Sequence, residues 1–226
     1  MGLEAIPEDV RARFYVEERR HAHAIMAADF PQELSELIEC LRNFRLLRSE
    51  VVAEGGGKTK IADRFDVFLA ARAWHEKATA IEMAVDSIPR RIETHKVDRF
   101  KSRIAVEVEW NNKDPFFSRD LNAFRLLHDL DVISVGVLIT RCDELQKIFD
   151  GLGWVYDTKY SKWKRLGAKY GASTTHWGKL MPRVNAGGNG TCPLLLLGIR
   201  PECYEDDLPT VPVIPSPPKG APAEPA

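Results

Sequence analysis

An α/β fold, with a mixed β-sheet sandwiched by helices, is predicted by three features of the chain. Residues 103–110, RIAVEVEW, alternate apolar and acidic side chains, the two-residue period of a strand with one apolar face. Residues 132–140, VISVGVLIT, form a continuous apolar run of strand length, as expected for a central strand covered on both faces. Helical spacing surrounds these runs, and the order strand–strand–helix–strand–helix suits a mixed sheet between helical layers.

In chain order, a strand at roughly 12–18 leads into a helix at 19–28. PQELSELIECLRNFRLL (31–47) then places Leu34, Ile38, Leu41 and Phe44 on one helical face. EGGGKTK (54–60) is a glycine-rich loop. ADRFDVFLAARAWHEKA (62–78) reads as another helix, with Phe65, Phe68, Leu69 and Ala73 together. KVDRF (96–100) and RIAVEVEW give two adjacent strands. A helix follows over about 116–130 with Phe116, Leu121, Phe124 and Leu127 in register, and CDELQKIFDGL (142–152) is a further helix after the apolar run. NAGGNGTCP leads into a last strand, PLLLLGI. Residues 1–207 read as one folded unit, and from Leu208 the proline-rich segment PTVPVIPSPPKGAPAEPA predicts a disordered or polyproline tail, 208–226.

The net charge of −1 hides an uneven distribution. Residues 201–226 hold five acids and one base, whereas Thr158–Pro201 holds eight Lys or Arg and no acid. The four cysteines, Cys40, Cys142, Cys192 and Cys203, form no CxxC pair, so zinc knuckles and redox motifs are excluded. Reduced thiols, an N-terminus without an apolar h-region and the lack of an 18-residue apolar run predict a cytoplasmic protein with no membrane partner. Cys142 reads as a core thiol. His21 and His23, two apart on a helix, do not share a face and are rejected as a metal pair.

The chemistry concentrates at Asp98, Glu107 and Glu109. Residues two apart on a strand share a face, so Glu107 and Glu109 project together, and a tight strand pair brings Asp98 beside them. Three converging carboxylates repel one another unless a cation neutralises them. Hard oxygen ligands suit Mg²⁺, which can activate water in phosphodiester hydrolysis. A polar strand face explains the V-E-V-E alternation equally simply; the turn-like NNKDPF that follows favours a ligand site, because ligands gather at strand ends of α/β sheets.

Asp98-x8-Glu107-x-Glu109, followed by a helix and a buried strand, resembles the BamHI/BglII-like branch of type II restriction endonucleases, within the PD-(D/E)xK fold. The resemblance covers roughly residues 30–200 and is strongest across VDRFKSRIAVEVEWNNKDPFFSRDL. Most of that fold has lysine at the last motif position; this branch has Glu or Gln, and here Glu109 stands there. Val97 occupies the place of the usual proline. The resemblance implies a restriction-endonuclease-like core with Asp98 and Glu107 binding Mg²⁺, the Val108 carbonyl joining them, and Glu109 orienting or deprotonating the attacking water. A further polar residue upstream is expected to be Glu82, with Asp86 as the alternative.

GGGKT at 55–59 lacks the first glycine of a phosphate-binding loop, since Val52 stands there; Lys58 and Lys60 are read instead as phosphate contacts or as a plain surface loop. The basic segment 158–183 interleaves Lys159, Lys162, Lys164, Lys179 and Arg183 with Tyr160, Trp163, Tyr170 and Trp177, a composition suited to DNA phosphates. Thr175, His176 and Arg183 are the candidates for base or backbone contacts, in the region where the resemblance implies that specificity is read. Arg119 and Asp120 read as pinning the helix after the acidic strand.

Together these readings predict a Mg²⁺-dependent restriction endonuclease. The resemblance implies that it acts on double-stranded DNA as a homodimer, at a short palindrome with a GATC-type core, with a cognate methyltransferase protecting its host. The alternatives are a non-catalytic sequence-specific DNA-binding protein and a same-fold nuclease acting on other nucleic acids.

Overall fold

The computed structural model describes residues 3, 5–53, 59–93, 95–171 and 173–223. A short helix α1 (Glu8–Arg11) precedes β1 (Phe14–Arg19), then α2 (Ala22–Asp29), α3 (Pro31–Asn43), β2 (Leu46–Leu47), α4 (Arg48–Val52) and α5 (Lys60–Ala70). Next come β3 (His75–Lys77), the hairpin β4 (Ala80–Val85) and β5 (Ile88–Glu93), then β6 (Val97–Lys101), β7 (Ile104–Glu109), α6 (Phe116–Asp129), β8 (Val135–Arg141) and α7 (Leu145–Gly151). A second hairpin, β9 (Trp154–Asp157) and β10 (Lys162–Arg165), is followed by α8 (Leu166–Lys169), α9 (Trp177–Asn185), β11 (Leu194–Ile199) and β12 (Tyr204–Glu205).

Six strands form one mixed sheet in the order β1-β11-β8-β7-β6-β3. The centre, β11-β8-β7, is parallel, and β1, β6 and β3 add antiparallel edges. This is the predicted α/β architecture. Alternation sorts the two faces. Ile104, Val106 and Val108 of β7, with Val135, Val137 and Ile139 of β8, join the core beneath α2, α3, α5 and α7. Ala105, Leu138, Leu194 and Leu196 face the other way, against Phe117, Leu121, Phe124 and Leu127 of α6 and Leu180 and Val184 of α9. Ala105, Glu107 and Glu109 therefore line one face of β7, apolar at one end and acidic at the other.

Close packing between α6 and the sheet depends on Gly136. A Cβ there would stand 2.6 Å from Phe124 Cδ2 and 3.0 Å from Leu194 Cδ2, both in the core. Gly136→Ala is expected to destabilise the protein by about 1–3 kcal/mol, as overpacked core sites do. An urea titration that leaves the midpoint unchanged would refute this.

One expectation is corrected. The helix predicted over 62–78 stops at Ala70, Ala73 adopts φ 64°, and His75–Lys77 becomes the edge strand β3. Burial of Trp74, whose indole donates to Glu36 at 2.7 Å, outweighs the helical propensity of the segment. The proline-rich segment makes contacts with the body as far as residue 223. Arg48 donates to the Leu208 and Val211 carbonyls at 2.9 and 2.8 Å, and the Trp154 and Trp163 amides donate to the carbonyls of Ile214 and Pro222, both at 2.8 Å. Proline offers no donor, but its segment still offers carbonyl acceptors, and those are what the body uses. No described helix is long and apolar enough to cross a membrane.

Candidate active site

β6 and β7 are paired antiparallel with Arg99 opposite Val106, which carries Asp98 to the acidic end of β7. The Val108 amide donates to Asp98 Oδ2 at 3.4 Å. Glu107 is 1% and Glu109 2% exposed. Neither Glu107 oxygen has a hydrogen-bond partner. Burial, reinforced by the negative charges of Asp120 and Asp98, pushes the Glu107 carboxyl well above the usual range. Burial and Asp120 push Glu109 up to about 9, against the opposing pull of Asn112 and Arg119. Those two groups hold Glu109 directly, Asn112 Nδ2 at 2.7 Å and Arg119 at 3.2 Å.

Sequence reasoning missed Asp120. It is wholly buried and projects from α6 into the same cluster. Arg119 Nε donates to its Oδ1 at 2.8 Å, while its Oδ2 has no partner. Burial raises its carboxyl, and a hydrogen bond with Glu109, followed by Arg119, offsets part of the effect. The signal was present: with Phe117, Leu121 and Phe124, position 120 lies on the apolar stripe of the helix, where a carboxylate demands a reason. Arg119, read as a helix pin, instead links Asp120 to Glu109 and stacks over Phe116 at 4.2 Å. His95, also missed, completes a group of three possible metal ligands with Glu107 and Asp120. Burial, then the Arg119 charge, holds its imidazole below the ordinary value.

Glu82 is not brought to this cluster. It is exposed on β4, opposite Arg91, in a two-stranded sheet separate from the main one, and Asp86 is exposed in the turn of that hairpin with φ 49°. The fourth carboxylate comes from downstream, from Asp120.

The residues proposed to touch DNA are scattered. Lys58 lies outside the described residues. Lys60 is exposed at the start of α5. Lys159 and Lys162 flank the Tyr160 ring at 5.3 and 5.8 Å, on the β9–β10 hairpin, and Lys164 pairs with Asp157. Lys179 and Arg183 lie on α9 and reach Asp114 at 4.0 and 3.1 Å. His176 sits against Asp143. The acid-free run is thus partly neutralised by acids from outside it.

Thr175 departs most from the sequence reading. It is fully buried, and its hydroxyl accepts the Asn112 amide at 3.1 Å while its own amide donates to the Asn112 carbonyl at 2.8 Å. It anchors the loop after β7 rather than offering a contact to DNA. Thr175→Val leaves a buried amide unpaired and is expected to cost about 1–3 kcal/mol in a denaturant titration, whereas a surface DNA contact would cost almost nothing.

The span from Phe14 to Ile199, running from β1 through β11 and enclosing the acidic cluster, matches the family model for restriction endonuclease BglII/BglIII. The chain belongs to the BglII/BglIII restriction endonuclease family. No individual curated protein matches it. Membership makes it a nuclease that cleaves DNA at specific sites, with the fold predicted for it. All four cysteines are buried and unpaired, and burial pushes the Cys142 thiol up to about 12, which leaves this family member no thiolate there for nucleophilic chemistry.

Proposed function

We propose that this restriction endonuclease is a Mg²⁺-dependent type II enzyme. It hydrolyses both strands of double-stranded DNA at a short palindrome with a GATC-type core, acting as a homodimer with one active site per strand. The observation that carries this reading is the pair of buried, partnerless oxygens on Glu107. Buried carboxylate oxygens lacking any donor are costly, and a divalent cation is the ligand that relieves them. Asp98, Glu107 and the Val108 carbonyl would hold the ion, and the hard oxygen set fits Mg²⁺. When bound, the ion supplies charge stabilisation of the phosphoryl oxygens and acidifies water.

The remaining steps belong to the chain. Glu109, held by Asn112 and Arg119, orients the attacking water. With its carboxyl raised to about 9 it carries a proton at neutral pH and cannot act as a base. Were positive charge held beside Glu107 and Asp98, Glu109 would ionise and could accept the water's proton. Lys60, Lys159, Lys162, Lys164, Lys179, Arg183 and His176 are the proposed DNA contacts, together with Lys58. The proposed setting is the cytoplasm of a host whose methyltransferase protects the same sequence.

Incubating the protein with unmethylated phage DNA, with and without Mg²⁺, tests the reading. Discrete bands only with Mg²⁺ are expected, and end sequencing gives the site. A folded protein that retains DNA but cuts with no divalent ion would refute it.

A further inference from the structure

Ligand atoms of two kinds meet on the α6 side of Glu107. His95, Glu107 and Asp120 each offer one ligand atom, and these lie within 4.8 Å of one another. His95 Nε2 stands 3.9 Å from Glu107 Oε1 and 3.9 Å from Asp120 Oδ1. Those separations are too long for hydrogen bonds. They are within the span open to two ligands of one ion, at most about 4.2 Å for bonds of roughly 2.1 Å.

Three separate pieces of the fold bring the group together. His95 precedes β6, Glu107 is on β7, and Asp120 is one turn into α6. Both carboxylates are buried, and Glu107 Oε1, Glu107 Oε2 and Asp120 Oδ2 lack hydrogen-bond partners. Asp120 Oδ1, the oxygen measured against His95, also accepts from Arg119, while Asp120 Oδ2 is unpaired. The imidazole is 29% exposed, so the group opens to solvent on the His95 side. Asp98 and the Val108 amide meet on the β6 side of the same strand end. Glu107 stands between the two groups, acted on by Asp98 from one and by Asp120 from the other.

The imidazole sets the chemistry of this second position apart. Mg²⁺ keeps to oxygen ligands and resists dehydration, whereas imidazole nitrogen suits later divalent transition ions. We propose that His95, Glu107 and Asp120 form a second cation site, joined to the first through Glu107, that takes a divalent transition ion such as Co²⁺ in preference to Mg²⁺. The inference rests on the Mg²⁺ reading above, because the two sites share Glu107.

Calorimetric titration of the full chain with Co²⁺ and with Mg²⁺, on the wild type, His95→Ala and His95→Gln, tests it. The visible spectrum of bound Co²⁺ is recorded alongside to report nitrogen ligation. Both variants are expected to weaken Co²⁺ binding about tenfold or more and to change the Co²⁺ spectrum, while Mg²⁺ affinity stays within about twofold. Retained Mg²⁺ binding also verifies that the variants are folded. Co²⁺ binding indifferent to His95, with Mg²⁺ still bound, would overturn the second site and leave the Mg²⁺ reading standing. Equal loss of both ions would overturn the selectivity assigned to His95. Failure of the wild type to bind either ion would overturn both readings.

Discussion

Glu107→Gln is expected to reduce cleavage about 10³-fold or more while DNA retention remains largely intact. Loss of the proposed ion ligand would remove several kcal/mol of transition-state stabilisation, and each 1.36 kcal/mol is a factor of ten in rate. The substitution keeps the shape of the side chain and removes a charge that burial and two neighbouring carboxylates already oppose. The fold is therefore not threatened, and metal-free DNA binding loses no attraction. Steady-state cleavage of a plasmid bearing the site, beside a mobility shift without divalent ions, separates the two effects. Equal loss of cleavage and binding would make Glu107 a structural residue and sink its assigned role.

Glu109→Gln is expected to reduce the pH dependence of stability in metal-free protein. The Glu109 carboxyl sits at about 9 in the folded protein, against an ordinary 4.5. Between those values the folded protein keeps a proton that the unfolded chain has released. The associated stability is fully present below about 4.5 and is lost as pH rises through about 9. Each pH unit inside that window removes about 1.4 kcal/mol, so melting of the wild type should fall by about 5–10 °C between pH 6 and pH 8 relative to the variant. Mg²⁺ should restore the wild type at pH 8 and do less for the variant. Parallel melting curves for the two proteins from pH 6 to pH 8 would contradict the burial argument.

Much of the fold was legible because period and burial agreed. The V-E-V-E strand, the apolar run of β8 and the stripes of α3 and α6 each carry one unambiguous spacing. The β4–β5 hairpin carried none. Its turn places Asp86 and Ser87 at φ 49° and 65°, where the usual sequence signal is Asn-Gly, and β5 contains a proline and two arginines. Ala73 gives no hint that it will leave the helical region. In the acidic cluster, Asp98, Glu107 and Glu109 were legible from strand geometry. Asp120 and His95 were not, because what unites them is the packing of α6 and of the segment before β6 onto β7. Thr175 misled for a related reason: a short polar side chain looks the same in sequence whether it serves a solvent-facing loop or a buried hydrogen bond.

The stitching of the loop after β7 to residues 173–176 makes one mechanical unit of two regions far apart in sequence. Asn112 and Thr175 exchange hydrogen bonds, Lys113 bridges Thr174, and the Asp114 amide donates to the Ser173 carbonyl at 3.2 Å. The amide side chain of the same Asn112 grips Glu109. Whatever draws the 173–176 segment toward the body or away from it also turns the group that aims Glu109.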